Sequence, residues 1–200
     1  MPDRDVKTIR HLLYYQYAKV IARRAFAHAD GVAAKKTDYG FIKNTFRDLR
    51  DGRKQWSDIL REDWQLVEGE KKCTYCGGEE YLSREHIVCA SLLVNERCPT
   101  CDTIQGIHNQ VLACRTCNSR KGTLGLYSFF REVCPGDPKF YDRIPPLAEK
   151  KYLKTVHDCL QCIGCLDSGD LDGDGELTVL DIDYALGRFL RSAGGDTQGQ

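Results

Sequence analysis

Two cysteine pairs of identical spacing, Cys73-Thr-Tyr-Cys76 and Cys114-Arg-Thr-Cys117, restrict this chain more than any other feature. Two thiolates separated by two residues reach one metal ion through a tight turn, and Gly77 and Gly78 let the backbone fold under the first pair. Four thiolates close a tetrahedral zinc shell and leave no open position, so such a zinc is structural. The chain holds 11 cysteines in 200 residues. Its start, MPDRDVKTIRHLL, lacks the apolar stretch and small residues of an export signal. Cysteines in that number then read as metal ligands in a reducing compartment, and the expected location is cytoplasmic.

A third pair, Cys98-Pro-Thr-Cys101, lies between the first two, and Cys159-Leu-Gln-Cys162-Ile-Gly-Cys165 lies downstream. A second zinc held by Cys98, Cys101, Cys159 and Cys162 would tie the C-terminal part back to the core. An iron–sulfur run is not expected, because the fourth cysteine after the triple is missing. Cys89 and Cys134 read as small buried hydrophobes.

The texture of the chain divides it into five segments. Residues 1–72 form a basic helical region. Val6, Ile9, Leu13, Tyr17, Val20 and Ile21 predict a helix over 5–29, and Phe41, Ile42, Phe46 and Leu49 one over 38–50. Ser57 caps a third, from Asp58 to about Val67. Residues 73–131 form the metal-organised core, and 132–166 a proline-marked connection with a cysteine-rich helix over about 147–161. Residues 167–193 hold an acidic loop and a helix over about 179–191, and 194–200 a disordered tail. No run of eighteen apolar residues exists, so no membrane contact is expected.

Charge looks neutral, with 29 Lys and Arg against 29 Asp and Glu. The balance hides an asymmetry: 16 against 11 over residues 1–72, 6 against 6 over 73–135, and 7 against 12 over 136–200. A basic front end keeps a nucleic-acid partner open, and solvated helical lysines and arginines are the plainer alternative.

Three polar landmarks sit within the cysteine framework: Arg84-Glu85-His86-Ile87-Val88, His108-Asn109-Gln110-Val111-Leu112-Ala113, and Cys117-Asn118-Ser119-Arg120-Lys121-Gly122. Cleaving a phosphodiester needs a base for the attacking water and cations for the developing charge. His86 supplies an imidazole near its working pKa, and Glu85 an anionic metal ligand. Neighbours on a strand point to opposite faces, so these two need a local bend to serve one site. Asn118 offers an amide oxygen to the same ion, and Arg84, Arg120 and Lys121 are the cations expected at phosphate.

CTYCGG, REHIV, NQVLAC and CRTCNSRKG, in that order, resemble an HNH endonuclease with a structural zinc over about residues 73–127. The resemblance implies a ββα-metal fold, a hairpin and helix around one divalent ion, Mg2+ or another. It implies His86 as general base, Glu85 and Asn118 as ligands of that ion, and Asn109 as the residue that holds the loop and orients the histidine. DNA is the partner it implies. Glu85 stands where Asp is commoner, Cys89 where Pro usually comes next, and 90–106 is longer than the shortest members need. A non-catalytic zinc module that binds nucleic acid through its basic helices is the rival reading.

Asp170, Asp172, Asp174, Glu176, Thr178 and Asp181 fall on a twelve-residue calcium-loop template, with Gly175 at its sharp turn. The loop and the helix after it resemble an EF-hand, or half of a dockerin repeat, which implies Ca2+ and, as a third reading, a docking module. An acidic turn that merely caps the last helix is the alternative. The expected class is therefore α+β: an N-terminal helical region, a zinc-stabilised ββα core, and C-terminal helices with an EF-hand-like loop.

Overall fold

In the computed structural model the described residues are 4–26, 36–55, 71–90 and 106–191. They form a mostly helical α+β structure: α1 (Ile9–Phe26), α2 (Lys36–Arg50), β1 (Leu82–His86), β2 (Gln110–Cys114), α3 (Arg115–Lys121), α4 (Leu126–Val133), α5 (Pro146–Cys162) and α6 (Val179–Arg191). None of these helices is long and apolar enough to cross a membrane. The expected helix from Asp58 to Val67, the pair Cys98 and Cys101, and the tail from residue 194 lie outside the described residues.

α1 buries Ile9, Leu12, Leu13, Tyr17, Ala18 and Val20, more than one stripe can account for. The reason is that α2, α5 and α6 all pack against it. It begins later than the apolar pattern predicts because its cap is at Thr8, whose Oγ1 accepts the His11 N–H at 3.3 Å. Two further orphan donors find partners far along the chain. The N–H groups of Ile9 and Arg10 bond to the carbonyls of Ser168 and Leu166, each at 2.8 Å, and Arg10 grips Asp167 through two nitrogens at 2.7 and 3.0 Å. Residues of the first and last segments thus share one core with the hairpin.

α5 starts at Pro146, whose missing N–H would have had no helical partner there. Its inward face is not purely apolar. Beside Ala148, Tyr152, Leu153 and Val156 it buries Glu149 and Lys151. Glu149 accepts from the Tyr127 hydroxyl of α4 at 2.9 Å and pairs with Arg23 of α1. Lys151 donates to the carbonyls of Ile107 and Gln110, at 3.1 and 3.0 Å, and so pins the turn that opens β2.

β1 and β2 pair antiparallel, with Leu82 opposite Cys114, Glu85 opposite Val111 and His86 opposite Gln110. Glu85, Val111 and Ala113 are buried. α3 leaves β2 directly, with Cys114 as its cap, and ends at Gly122, whose φ of +48° favours a residue without a side chain. α4 is short, and its eight residues carry too few apolar repeats to stand out in the sequence.

α6 is locked to α4 and α5 by one carboxylate. Asp183 accepts the Ser128 N–H at 2.6 Å and the Tyr152 hydroxyl at 2.5 Å. A Cβ on Gly125 would fall on that carboxylate, which is held too firmly to move. We expect Asp183→Ala to destabilise by about 3 kcal/mol and Gly125→Ala by about 2 kcal/mol. In urea denaturation the double variant should lose clearly less than the sum, since removing the carboxylate makes room for the methyl group.

Candidate functional site

The four sulfurs of Cys73, Cys76, Cys114 and Cys117 lie within 4.8 Å of one another. Local backbone geometry builds this cluster. The Cys73 N–H bonds to Gly78 O at 2.7 Å and the Gly77 N–H to Cys73 O at 2.8 Å, with Gly77 at a φ of +75°. The Thr74 N–H then bonds to Leu112 O at 2.7 Å, which fastens the knuckle to β2. Zinc–sulfur bonds of about 2.3 Å make a tetrahedron with edges of about 3.8 Å. Cys76 and Cys114 sulfurs stand 3.8 Å apart. Burial opposes ionisation of Cys73, yet backbone N–H groups bring its thiol down to about 7, whereas burial and the neighbouring sulfurs push Cys117 up. The residues fit a structural zinc.

The other cysteine group is arranged differently. Cys162 is disulfide-bonded, and the Cys159 thiol is buried. A disulfide sulfur is not the thiolate ligand that a second zinc at Cys98, Cys101, Cys159 and Cys162 would need.

Beneath the hairpin lies a buried ion pair. Lys121, the last residue of α3, is fully buried, and its Nζ is 3.0 Å from Glu85 Oε1 and 3.4 Å from His86 O. The knuckle supplies the third member. Tyr75 packs edge-on against Phe129 and Phe130, at 5.3 and 6.2 Å between ring centres, with its buried hydroxyl beside Glu85. Burial raises the pKa of Glu85 above the ordinary carboxylate value, and Lys121 limits the rise. Burial and the Glu85 charge likewise push the Tyr75 phenol well up.

β1 stays regular through His86. Glu85 is buried with Lys121, whereas His86 is half-buried beside Gln110, with 3.4 Å between Nε2 atoms. The alternation turns their side chains to opposite faces of β1, and gives His86 the face of Arg84. Asn109 is fully buried and locks the turn after His86: its Oδ1 accepts the Val88 N–H at 2.8 Å and its Nδ2 donates to Val88 O at 2.7 Å. Asn118 is half-buried on α3, where its carbonyl accepts the Gly122 N–H at 3.0 Å. Arg84 and Arg120 are exposed, so Lys121 is the one of the three expected phosphate contacts that is placed inside.

Sequence reasoning missed Lys151 and Tyr75. Lys151 had a signal, a lysine at helical spacing among Ala148, Tyr152 and Thr155; Tyr75 had none beyond its place in the knuckle.

In the acidic loop the carboxylate oxygens of Asp170, Asp172 and Asp174 come within 4.8 Å of one another, all exposed. Asp170 accepts from the N–H groups of Gly173 and Gly175 at 2.9 and 2.8 Å, which lowers its pKa, and Gly175 takes a φ of +86°. Asp181 is buried. Its Oδ2 accepts from the Thr178 N–H at 2.7 Å and from the Thr178 hydroxyl, capping α6, while its Oδ1 has no hydrogen-bond partner. The Asp174 N–H opposes it, but desolvation and the Asp170, Asp181 and Asp174 carboxylates push Asp172 up.

No protein-family model, curated protein or solved structure matches the chain. The assignment of chemistry therefore rests on the residues themselves.

Native mass spectrometry of the whole chain should show a zinc that Cys114→Ser removes. Because such zinc carries folding energy, on the order of 10 kcal/mol in zinc-finger peptides, the same variant should lose the cooperative melt of the core seen by circular dichroism.

Proposed function

We propose that this chain is an HNH-type endonuclease that hydrolyses phosphodiester bonds in DNA, with His86 as general base. The observation that carries the reading is the order of parts around one histidine. β1 ends at His86, Asn109 clamps the next turn, β2 returns, and α3 leaves from the cysteine cluster. A base on a rigid strand end, with the turn beyond it fixed, is suited to in-line attack by water. In the step itself the half-buried imidazole takes the proton of the attacking water. Arg84, on the same face of β1, and Arg120 are exposed cations for the phosphate.

The resemblance also implies a divalent ion, Mg2+ or another, at Glu85 and Asn118. As the side chains stand they do not fit one. Glu85 is buried, its charge is already met by Lys121, and His86 points to the other face. No step is therefore assigned to the ion. The same separation favours the second reading, a zinc-containing protein that binds nucleic acid without cutting it.

Plasmid nicking with Mg2+ or Mn2+, with and without chelator, separates the two. The nuclease reading expects nicking by the wild-type chain. His86→Ala should keep zinc and melting temperature and lose about 10²–10⁴-fold in rate. DNA retention without nicking by the wild-type chain would establish the second reading.

We also infer that loop 170–181 takes Ca2+ as a clip on α6. The support is the buried, unpartnered Oδ1 of Asp181 at the last loop position, beside three clustered carboxylates. Saturation at a hundred times Kd should stabilise the fold by about 2.7 kcal/mol. Calorimetry should show that rise in the wild-type chain and none in Asp170→Ala.

A further inference from the structure

Tyr81 stands on backbone that a tyrosine does not favour. Its φ is +51°, and among the described residues it is the one non-glycine with a positive φ. That left-handed region suits glycine and asparagine, and a bulky side chain there is an outlier. Packing does not offset the strain, because Tyr81 is 82% exposed and takes no part in the apolar core. A lone exposed apolar side chain is ordinary. An exposed ring on strained backbone is not, and such strain collects where ligands are held. The residue is also firmly placed. Its carbonyl accepts the Arg115 N–H at 3.2 Å, which ties it to the first residue of α3 just before β1 begins.

The surroundings say what such a ring can meet. Arg84 on β1, and Arg115 and Arg120 on α3, are exposed cations. Beside the ring lies an open groove of about 620 Å³, lined among others by Glu79, Glu80 and Arg115. Lys72 stands 3.7 Å from Glu79, and both groove glutamates are exposed. Carboxylates repel a phosphate but accept a hydrogen bond from the amino group of a base such as cytosine. An aromatic face, an acceptor for a base edge and guanidinium groups for the flanking phosphates together make a single-strand contact. In a duplex the bases are stacked on one another, and freeing one costs energy. We infer that Tyr81 is a stacking platform for an unpaired base of single-stranded DNA, with Arg84 and Arg115 on the flanking phosphates. The platform rests on the nucleic-acid reading above, whether the strand is cut or only held. From Tyr81 to His86 is five positions along β1, about 16 Å, so one strand can meet both the ring and the imidazole.

The test uses the zinc-loaded full chain at fixed salt without added Mg2+ or Mn2+. The probe is a short fluorescein-labelled DNA strand read by fluorescence anisotropy, beside the duplex of the same sequence. Tyr81→Asn removes the ring and keeps a side chain that tolerates left-handed backbone, so the fold should melt no lower than wild type. Its affinity for the single strand should fall about tenfold or more, as expected for one stacked base, while its affinity for the duplex stays as it is. Tyr81→Phe should keep the single-strand affinity. Tyr81→Gly, which suits the φ, should behave as the asparagine variant does and guards against a fault particular to that side chain. An equal loss on strand and duplex, or a lower melting temperature in both variants, overturns the platform. If the wild-type chain binds neither strand nor duplex, the nucleic-acid reading fails and the platform with it. If it binds only the duplex, or holds the strand equally well without the ring, the platform alone fails.

Discussion

Four sulfurs gathered within 4.8 Å tie the two ends of the hairpin segment to one point. A two-stranded hairpin of five-residue strands is marginal in water by itself. Here the strands are far apart in sequence, and a long loop must be closed before they can pair. The cysteine cluster closes it. Cys114 belongs to the end of β2 and caps α3, Cys117 lies in the first turn of α3, and Cys73 and Cys76 hang from β2 through Thr74. Strand, helix and knuckle are thereby fixed to one point, and Tyr75 inside the knuckle is driven onto Phe129, Phe130 and the Glu85 carboxylate. The cysteine cluster thereby reaches the buried ion pair, since Tyr75, between two of its cysteines, stands beside Glu85.

The rest of the fold depends on polar side chains used as bolts. Lys151 satisfies two carbonyls at the turn before β2, Glu149 joins α5 to α1 and α4, and Asp183 joins α6 to α4 and α5. Each would be costly if left unpartnered, and each has found a partner on another element. Such contacts add specificity of position that apolar packing alone supplies poorly. Lys151 fixes the turn that presents Asn109, and Asn109 fixes the turn after His86. A chain of three residues thus runs from the centre of α5 to the histidine.

This division explains which features were open to sequence reasoning. The cysteine spacing, the glycines of the acidic loop and the apolar repeats of α1, α2, α5 and α6 are local patterns with local causes, and they were legible. α4 was not, because eight residues hold barely two turns. Charged residues were the larger blind spot. Lysine is ordinarily a surface residue, so Lys121 in CNSRKG reads as a phosphate contact, and nothing in that stretch reports that a glutamate thirty-six positions earlier will be buried against it. The same holds for Cys162, where only the fold decides which sulfur comes near.

Strand alternation carries the remaining tension in the candidate site. Glu85 and His86 are adjacent, and a regular β1 sends them to opposite faces. The inner face offers a dehydrated carboxylate and an ammonium, a neutral pair that stabilises the hairpin–helix contact. The outer face offers a half-buried imidazole and the exposed Arg84. The link between the faces is the His86 carbonyl, which the Lys121 ammonium touches from within while the His86 ring is presented without. The buried ion pair and the placement of the His86 ring are therefore linked through a single peptide group.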